Sequence, residues 1–262
     1  MLMNRYLSTA AALACTSLLC SHAAAAVHTT ASSAFANVQF GVIDLTPDDG
    51  VAAGYQFGPR STEFEASFTN GDHHDFDRFD PALPVPVNAQ ASYYGYWASA
   101  TTNGQLGNLQ TAVDTGSLQR HGDGAYGSAW QNVSILLKAH SAFTVAGRAD
   151  ASVQTSDPAL PILPGRASFG VFLNYVSLDQ PHQSFFHHLE LGNGASSLSY
   201  GDTFSLIARN DLDHDIALNL SFSSYAAAWA NVLAVPEPTT YLMLGAGLLV
   251  LGARRRLAQR AG

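Results

Sequence analysis

The chain has 262 residues, 47% of them hydrophobic and only 12% charged, with twelve basic residues against twenty acids. Arg5 lies near the start and Arg254, Arg255, Arg256 and Arg260 at the end, so residues 27–234 hold seven basics against nineteen acids, a formal charge of −12. A surface of that sign repels phosphate backbones and argues against nucleic acid as a partner.

Residues 1–26 have the layout of a secretory signal peptide. Arg5 supplies the positive start, residues 7–19 are mostly apolar, and small side chains fill most of 21–26. Ala24-Ala25-Ala26 before Val27 reads as the cleavage pattern, and the apolar run is too short to remain as a membrane span. Both cysteines, Cys15 and Cys20, fall inside this segment. The exported chain is therefore expected to have no disulfide and no thiolate ligand, and residues 27–234 must be held by their own core, as one domain.

That domain reads as strands. Apolar residues alternate at Val38/Phe40/Val42, Phe64/Ala66/Phe68, Phe204/Leu206/Ala208, along residues 143–153 and again at Ile216, Leu218, Leu220 and Phe222. Period two is the signature of a half-buried strand. Residues 169–176 are apolar on both parities, which predicts a strand covered on both faces. Residues 225–234 are alanine-rich and fit a final strand or a short helix, the strand being preferred. Turn chemistry separates the runs at Pro47-Asp48-Asp49-Gly50, Asn70-Gly71-Asp72, Asn103-Gly104 and Asn193-Gly194. With no sustained helical period and no internal repeat, the expected fold is all-β, an antiparallel β-sandwich or jelly-roll-like domain.

Three stretches carry candidate binding residues. Asp72, Asp75 and Asp77 flank His73 and His74 in one polar cluster, and Asp211, Asp213 and Asp215 form a D-x-D-x-D run. Carboxylates at such density suit Ca²⁺, making calcium the one cofactor the sequence suggests. An exposed acidic loop and a polar hairpin turn explain the same residues and are preferred, since the second run lacks the glycine and the terminal glutamate of an EF-hand loop. In Ser92-Tyr93-Tyr94-Gly95-Tyr96-Trp97, an unbroken strand places Tyr94 and Tyr96 on one face, where aromatic rings can stack on sugars, or pack in the core. His188 and Glu190 share a strand face but are two ligands at most. No nucleophile elbow, zinc-binding helix, P-loop or dinucleotide fingerprint is present. The domain therefore reads as non-enzymatic, with a secreted glycan-active enzyme using paired carboxylates as the rival and a Ca²⁺-stabilised module as a third reading.

The last stretch is an address. Residues 239–253 are uncharged and would make a helix of about 22 Å at roughly 1.5 Å per residue, short against a bilayer core of about 30 Å. Arg254, Arg255 and Arg256 come next and are expected to stay cytoplasmic as a stop-transfer cluster, leaving 257–262 as a cytoplasmic tail. Pro236 and Pro238 disfavour helix and present Glu237 on an extended corner outside the span. Val235-Pro236-Glu237-Pro238, the apolar run and the arginines together resemble the PEP-CTERM sorting signal of exopolysaccharide-producing Gram-negative bacteria, over residues 235–256. The resemblance implies recognition by exosortase, a membrane-embedded transpeptidase-like enzyme, with Pro236, Glu237 and Pro238 as recognition residues. It implies delivery to the cell surface or matrix and a structural or adhesive role among exopolysaccharides.

Overall fold

In the computed structural model, which describes residues 28–70, 73–79, 85–93, 95–116, 123–156, 165–176, 181–192 and 194–229, the alternating runs become strands. They are β1 (Thr29–Asp44), β2 (Tyr55–Asn70), β3 (His73–Phe79), β4 (Val87–Tyr93), β5 (Tyr96–Thr102), β6 (Gln110–Asp114), β7 (Gly124–Leu137), β8 (Ser141–Thr155), β9 (Gly165–Tyr175), β10 (Gln183–Glu190), β11 (Ser197–Asn210) and β12 (Ile216–Trp229). The described residues contain no helix. The signal peptide, residues 230–234 and the whole tail with its expected helix lie outside them.

Two six-stranded sheets form, in the orders β11-β8-β1-β6-β5-β4 and β10-β9-β12-β7-β2-β3, with every pair antiparallel. Each sheet buries one face against the other, as alternation demands. Phe143, Val145, Ala149, Ala151 and Val153 of β8 are buried, as are Ile216, Leu218, Leu220 and Phe222 of β12, Phe64, Ala66 and Phe68 of β2, and Phe204, Leu206 and Ala208 of β11. At the centre, the β1 ring of Phe35 meets Phe169, Phe204 and Phe222 edge to face, with centroids 5.6–6.0 Å apart. Residues 225–229 continue β12 as strand, the preferred reading.

Three local features depart from the sequence pattern. Residues 169–176 are not covered on both faces: Phe172 and Asn174 are half-buried and Val176 is exposed. Gly170 leaves a gap in the outer surface, and the Phe172 ring lies over it, 2.6 Å from where a Cβ would stand. An apolar residue serves there as a lid on the sheet's solvent side.

The second departure is in residues 92–97. They are not one strand but a hairpin: β4 ends at Tyr93, β5 begins at Tyr96, and Gly95 turns the chain at φ 90, where a side chain would be strained. The third is a pair of bulges. β1 gains a residue against β8 between Ala36 and Gln39, with Asn37 in the left-handed region at φ 54, and β2 gains one against β7 between Phe57 and Arg60. Each extra residue flips the inward parity of the rest of its strand. In β1 the inward positions pass from Ala31, Ser33 and Phe35 to Val38 and Phe40, and Val42 is left exposed.

Candidate functional site

The outer face of the second sheet carries a set of aromatic rings. On β7, Gly127, Ala129 and Gln131 are buried, so Tyr126, Ser128, Trp130 and Asn132 point to solvent. Small side chains face the core and aromatic ones face out, the reverse of the ordinary pattern. The reason lies across the sandwich: a Cβ at Gly127 would come 2.5 Å from the Ser99 carbonyl oxygen on β5. The sheets approach too closely there for a large residue to point inward.

Register places the outward rings in a lattice. Ser128 opposes Tyr225 on β12, and Ser223 opposes Trp130, so Tyr225 lies diagonally between Tyr126 and Trp130 (cross-strand diagonals of about 7–8 Å, within reach of aromatic side chains). Further along, Phe186 of β10 opposes Gly170, beside Phe172. Trp130 and Phe186 are exposed, and Tyr126, Phe172 and Tyr225 are half-buried. Hydroxyl and amide side chains fill the intervening positions: Ser221 donates to Asn132 Oδ1 at 3.1 Å, with Ser128, Ser184 and Ser223 around them. Burial pushes the Tyr225 phenol up, with Arg166 opposing it, so the ring carries an un-ionised hydroxyl.

Charges on this face are internally paired. Arg78 of β3 reaches Glu63 of β2 at 3.3 Å. Arg166 of β9 reaches Glu190 of β10 at 2.8 Å, His188 is 3.5 Å from the same carboxylate, and the Arg166 guanidinium lies 5.5 Å from the Trp229 ring centroid. The expected shared face of His188 and Glu190 therefore also holds Arg166, which forms the ion pair with Glu190. Glu65 is pushed above its ordinary range, by burial first, with Arg78 pulling it down and Glu63 adding to the rise. The result is a ring-bearing, hydroxyl-rich plane whose arginines are each paired, a surface chemistry suited to the alternating apolar and hydroxyl faces of sugars.

The residues singled out from sequence are dispersed. Asp75 and Asp77 sit on β3, at the edge of the second sheet. Asp75 accepts the Phe76 backbone N–H at 3.0 Å, and Asp77 accepts the Gln90 N–H of β4 at 3.0 Å, closing the gap between the two sheet edges. Asp72 lies outside the described residues. Asp211, Asp213 and Asp215 occupy the β11–β12 connection, where each carboxylate has a partner: Arg209 at 3.0 Å, His140 at 2.9 Å and the Ala139 N–H at 3.1 Å. This is the turn reading. β3 pairs with β2 opposite the Ala125 end of β7, while β12 begins opposite Leu137. The two acidic groups are thus about twelve strand residues apart, or about 40 Å at roughly 3.3 Å per residue. Among the described residues no group of three His, Cys, Asp or Glu is placed to hold a metal ion.

Of the two readings of Tyr96, a sugar platform and core packing, the structure shows the second. The hairpin makes Tyr93 and Tyr96 cross-strand partners on one side of the sheet, and Tyr96 is buried, while Trp97 opposes Ser92 and is exposed. The unbroken-strand parity fails because Gly95 reverses the chain. Tyr94 lies outside the described residues. The outer-face rings escape a reading by polarity because residues 126–132 alternate small against aromatic rather than polar against apolar. Their signal is the run of small residues on the opposite parity.

No curated protein matches the chain at a significant level. Among solved structures, vicilin from hazelnut (Corylus avellana) aligns over 76% of this chain and 71% of its own at 8% identity, with a TM-score of 0.11, which carries no inference. One family model matches, over residues 234–256: the PEP-CTERM protein-sorting motif. It covers Val235, Pro236, Glu237, Pro238 and the Arg254-Arg255-Arg256 cluster. The motif implies a secreted protein, held at the membrane and then processed by exosortase. The described residues are all β, and residues 234–256 carry a PEP-CTERM sorting motif, the mark of a secreted protein.

Proposed function

We propose that the domain is a structural or adhesive protein of the cell surface or matrix, contacting exopolysaccharide through the outer face of the second sheet. The observation that carries the reading is that face: Tyr126, Trp130, Tyr225 and Phe186 stand outward among serines and Asn132, with neighbouring charges paired off. Stacked rings hold sugar C–H faces, and hydroxyls replace the sugar's lost water. Exosortase sorting delivers such a surface to where exopolysaccharide is found. In the precursor, Arg254, Arg255 and Arg256 stay on the cytoplasmic side and the domain hangs outside.

The test is retention of the full-length protein, in detergent, on the host's matrix polysaccharide. Wild type is expected to be retained, and a Trp130→Ala/Tyr225→Ala variant to bind about fivefold or more weakly, since each ring contributes on the order of 1 kcal/mol of stacking. Equal retention of both proteins, or of neither, refutes the assignment. Trp130 is exposed and Tyr225 half-buried, so a cooperative unfolding transition retained by the variant serves as the folding control.

A further inference from the structure

Each of the other described arginines has a carboxylate. Arg78 reaches Glu63, Arg148 reaches Asp150 at 2.6 Å, Arg166 reaches Glu190, and Arg209 reaches Asp211. Arg60 has none among the described residues; its guanidinium instead lies 5.3 Å from the centroid of the Phe57 ring. In a domain this acidic, an arginine without a carboxylate is conspicuous.

Its position sharpens the point. Past the β2 bulge, Arg60 opposes Val133 of β7, and Thr62 and Phe64 come next, opposite Gln131 and Ala129. Val133, Gln131, Thr62 and Phe64 are all buried. Arg60 therefore stands in register with the core-facing row, on the inner side of the second sheet. A cation there is tolerated because the sandwich is open at this place. β6 pairs with β1 only over Thr30–Ala34, and β3 pairs with β2 only from Phe64 onward. Among the described residues, the stretch of β1 beyond its bulge and the stretch of β2 from Tyr55 to Glu63 have no outer neighbour strand, which leaves a mouth between the sheets beside Arg60.

A cleft of about 420 Å³ occupies that mouth. Val38 and Phe40 of β1 form one wall, Phe57 and Arg60 of β2 the other, and Gln105 and Leu106 of the β5–β6 connection close one end. Phe40 and Phe57 meet edge to face with centroids 5.3 Å apart. The connection is held from inside by Gln131, which is fully buried: its Oε1 accepts the Gly107 N–H at 2.7 Å, and its Nε2 donates to the Gln105 carbonyl at 3.3 Å. The end wall is thus fixed, and the Gln105 side-chain oxygen accepts from Asn103 Nδ2 at 3.3 Å.

We infer that this cleft binds the carboxylate-bearing ring of an acidic sugar, a uronate residue of an anionic glycan. Three features fit it together. A half-buried arginine without a carboxylate partner among the described residues offers a planar fork to a ligand's carboxylate, and the pair gains strength out of bulk water. The Phe40 and Phe57 rings suit the apolar face of a pyranose. The volume is that of a small-molecule site. The surrounding negative charge repels densely charged polyanions, so one carboxylate presented on an apolar-faced ring is the ligand that suits the site. The inference deepens the proposed glycan contact and rests on it for the ligand class, but the cleft and the outer face are separate surfaces.

The experiment is titration of the full-length protein in detergent with sodium glucuronate, glucose and sodium acetate, monitored by calorimetry and ligand-observed NMR. Wild type is expected to bind glucuronate about tenfold or more tightly than either glucose or acetate, and to lose affinity as salt rises. Arg60→Gln is expected to weaken glucuronate about tenfold, the worth of a charge-assisted contact. Arg60→Lys should lose less, keeping the charge without the fork. Unchanged glucuronate binding in Arg60→Gln, equal binding of glucuronate and glucose, acetate matching glucuronate, or indifference to salt each overturns it. The last three need no variant, so a destabilised variant leaves the test intact. Glucuronate binding through Arg60 without matrix retention would sink the adhesive reading and keep the cleft; the reverse result would do the opposite.

Discussion

Replacing Phe35 by alanine tests whether the two sheets are joined where the rings converge. Phe35 is 3% exposed, and its ring packs edge-on against Phe204 of its own sheet at 6.0 Å and against Phe169 and Phe222 of the opposite sheet at 5.9 and 5.6 Å. Burying one such side chain is worth about 1.5–3 kcal/mol, and ring pairs of this geometry add about 0.5–1.5 kcal/mol each, though pairs sharing one ring do not sum. Truncation also leaves a cavity between two sheets that cannot collapse into it without disturbing the ladders. The expected cost is about 4 kcal/mol, within the ordinary range for Phe→Ala in a core. Phe35→Leu, which keeps most of the volume and loses the ring edges, should cost about 1–2 kcal/mol. Residues 26–232 form a unit of their own, so urea unfolding of that unit supplies the assay: the midpoint should fall with the slope unchanged. A loss below about 1 kcal/mol for the alanine variant, well under the usual core range, would mean that the core is held elsewhere, and the ring cluster would lose its place as the joint between the sheets.

Two further outcomes concern other parts of the chain. Glu65 has a folded-state pKa raised above its ordinary 4.5, chiefly by burial, so its contribution to stability is fully present below that value and is lost as pH rises through the raised one. Glu65→Gln should therefore raise the melting temperature at pH 7, by well under 1 kcal/mol because the group is largely solvated, and have no effect below about pH 4.5; a gain that persists at low pH contradicts the sign. Glu237→Ala should leave the unprocessed precursor as the dominant species on a gel, and normal maturation in that variant would show that Pro-Glu-Pro is not what exosortase reads.

Much of the sandwich is legible because one physical rule, alternation against a buried face, operates without interruption in β8, β11 and β12. Where it is interrupted, the sequence offers little warning. Asn37 inserts a residue in β1 and Gly58-Pro59 marks the insertion in β2, yet both strands look alternating on either side of the bulge, only with opposite parity. A bulge is a fact about the partner strand, and no single-strand pattern contains it. Phe172 shows the converse: an apolar residue out of phase, which reads as double burial until the neighbouring Gly170 shows what it covers.

The same asymmetry explains why the address is readable and the surface is not. Sorting depends on order along the chain, with a proline corner, then an apolar run, then cations, and order along the chain is what a sequence displays. Sugar contact depends on which rings share a face, and that is set by registers between strands far apart in sequence: Trp130 stands beside Tyr225, 95 positions later, because β7 pairs with β12. Tyr93 and Tyr96 look like residues of opposite faces, and one glycine at 95 makes them cross-strand partners. Arg60 carries the same lesson further. One extra residue in β2 turns a side chain that would point to solvent toward the inner row, at a place where, among the described residues, the outer strands end and the cation has no carboxylate partner. Two small irregularities, a bulge and a missing neighbour strand, are enough to convert the rim of a hydrophobic core into a cationic cleft.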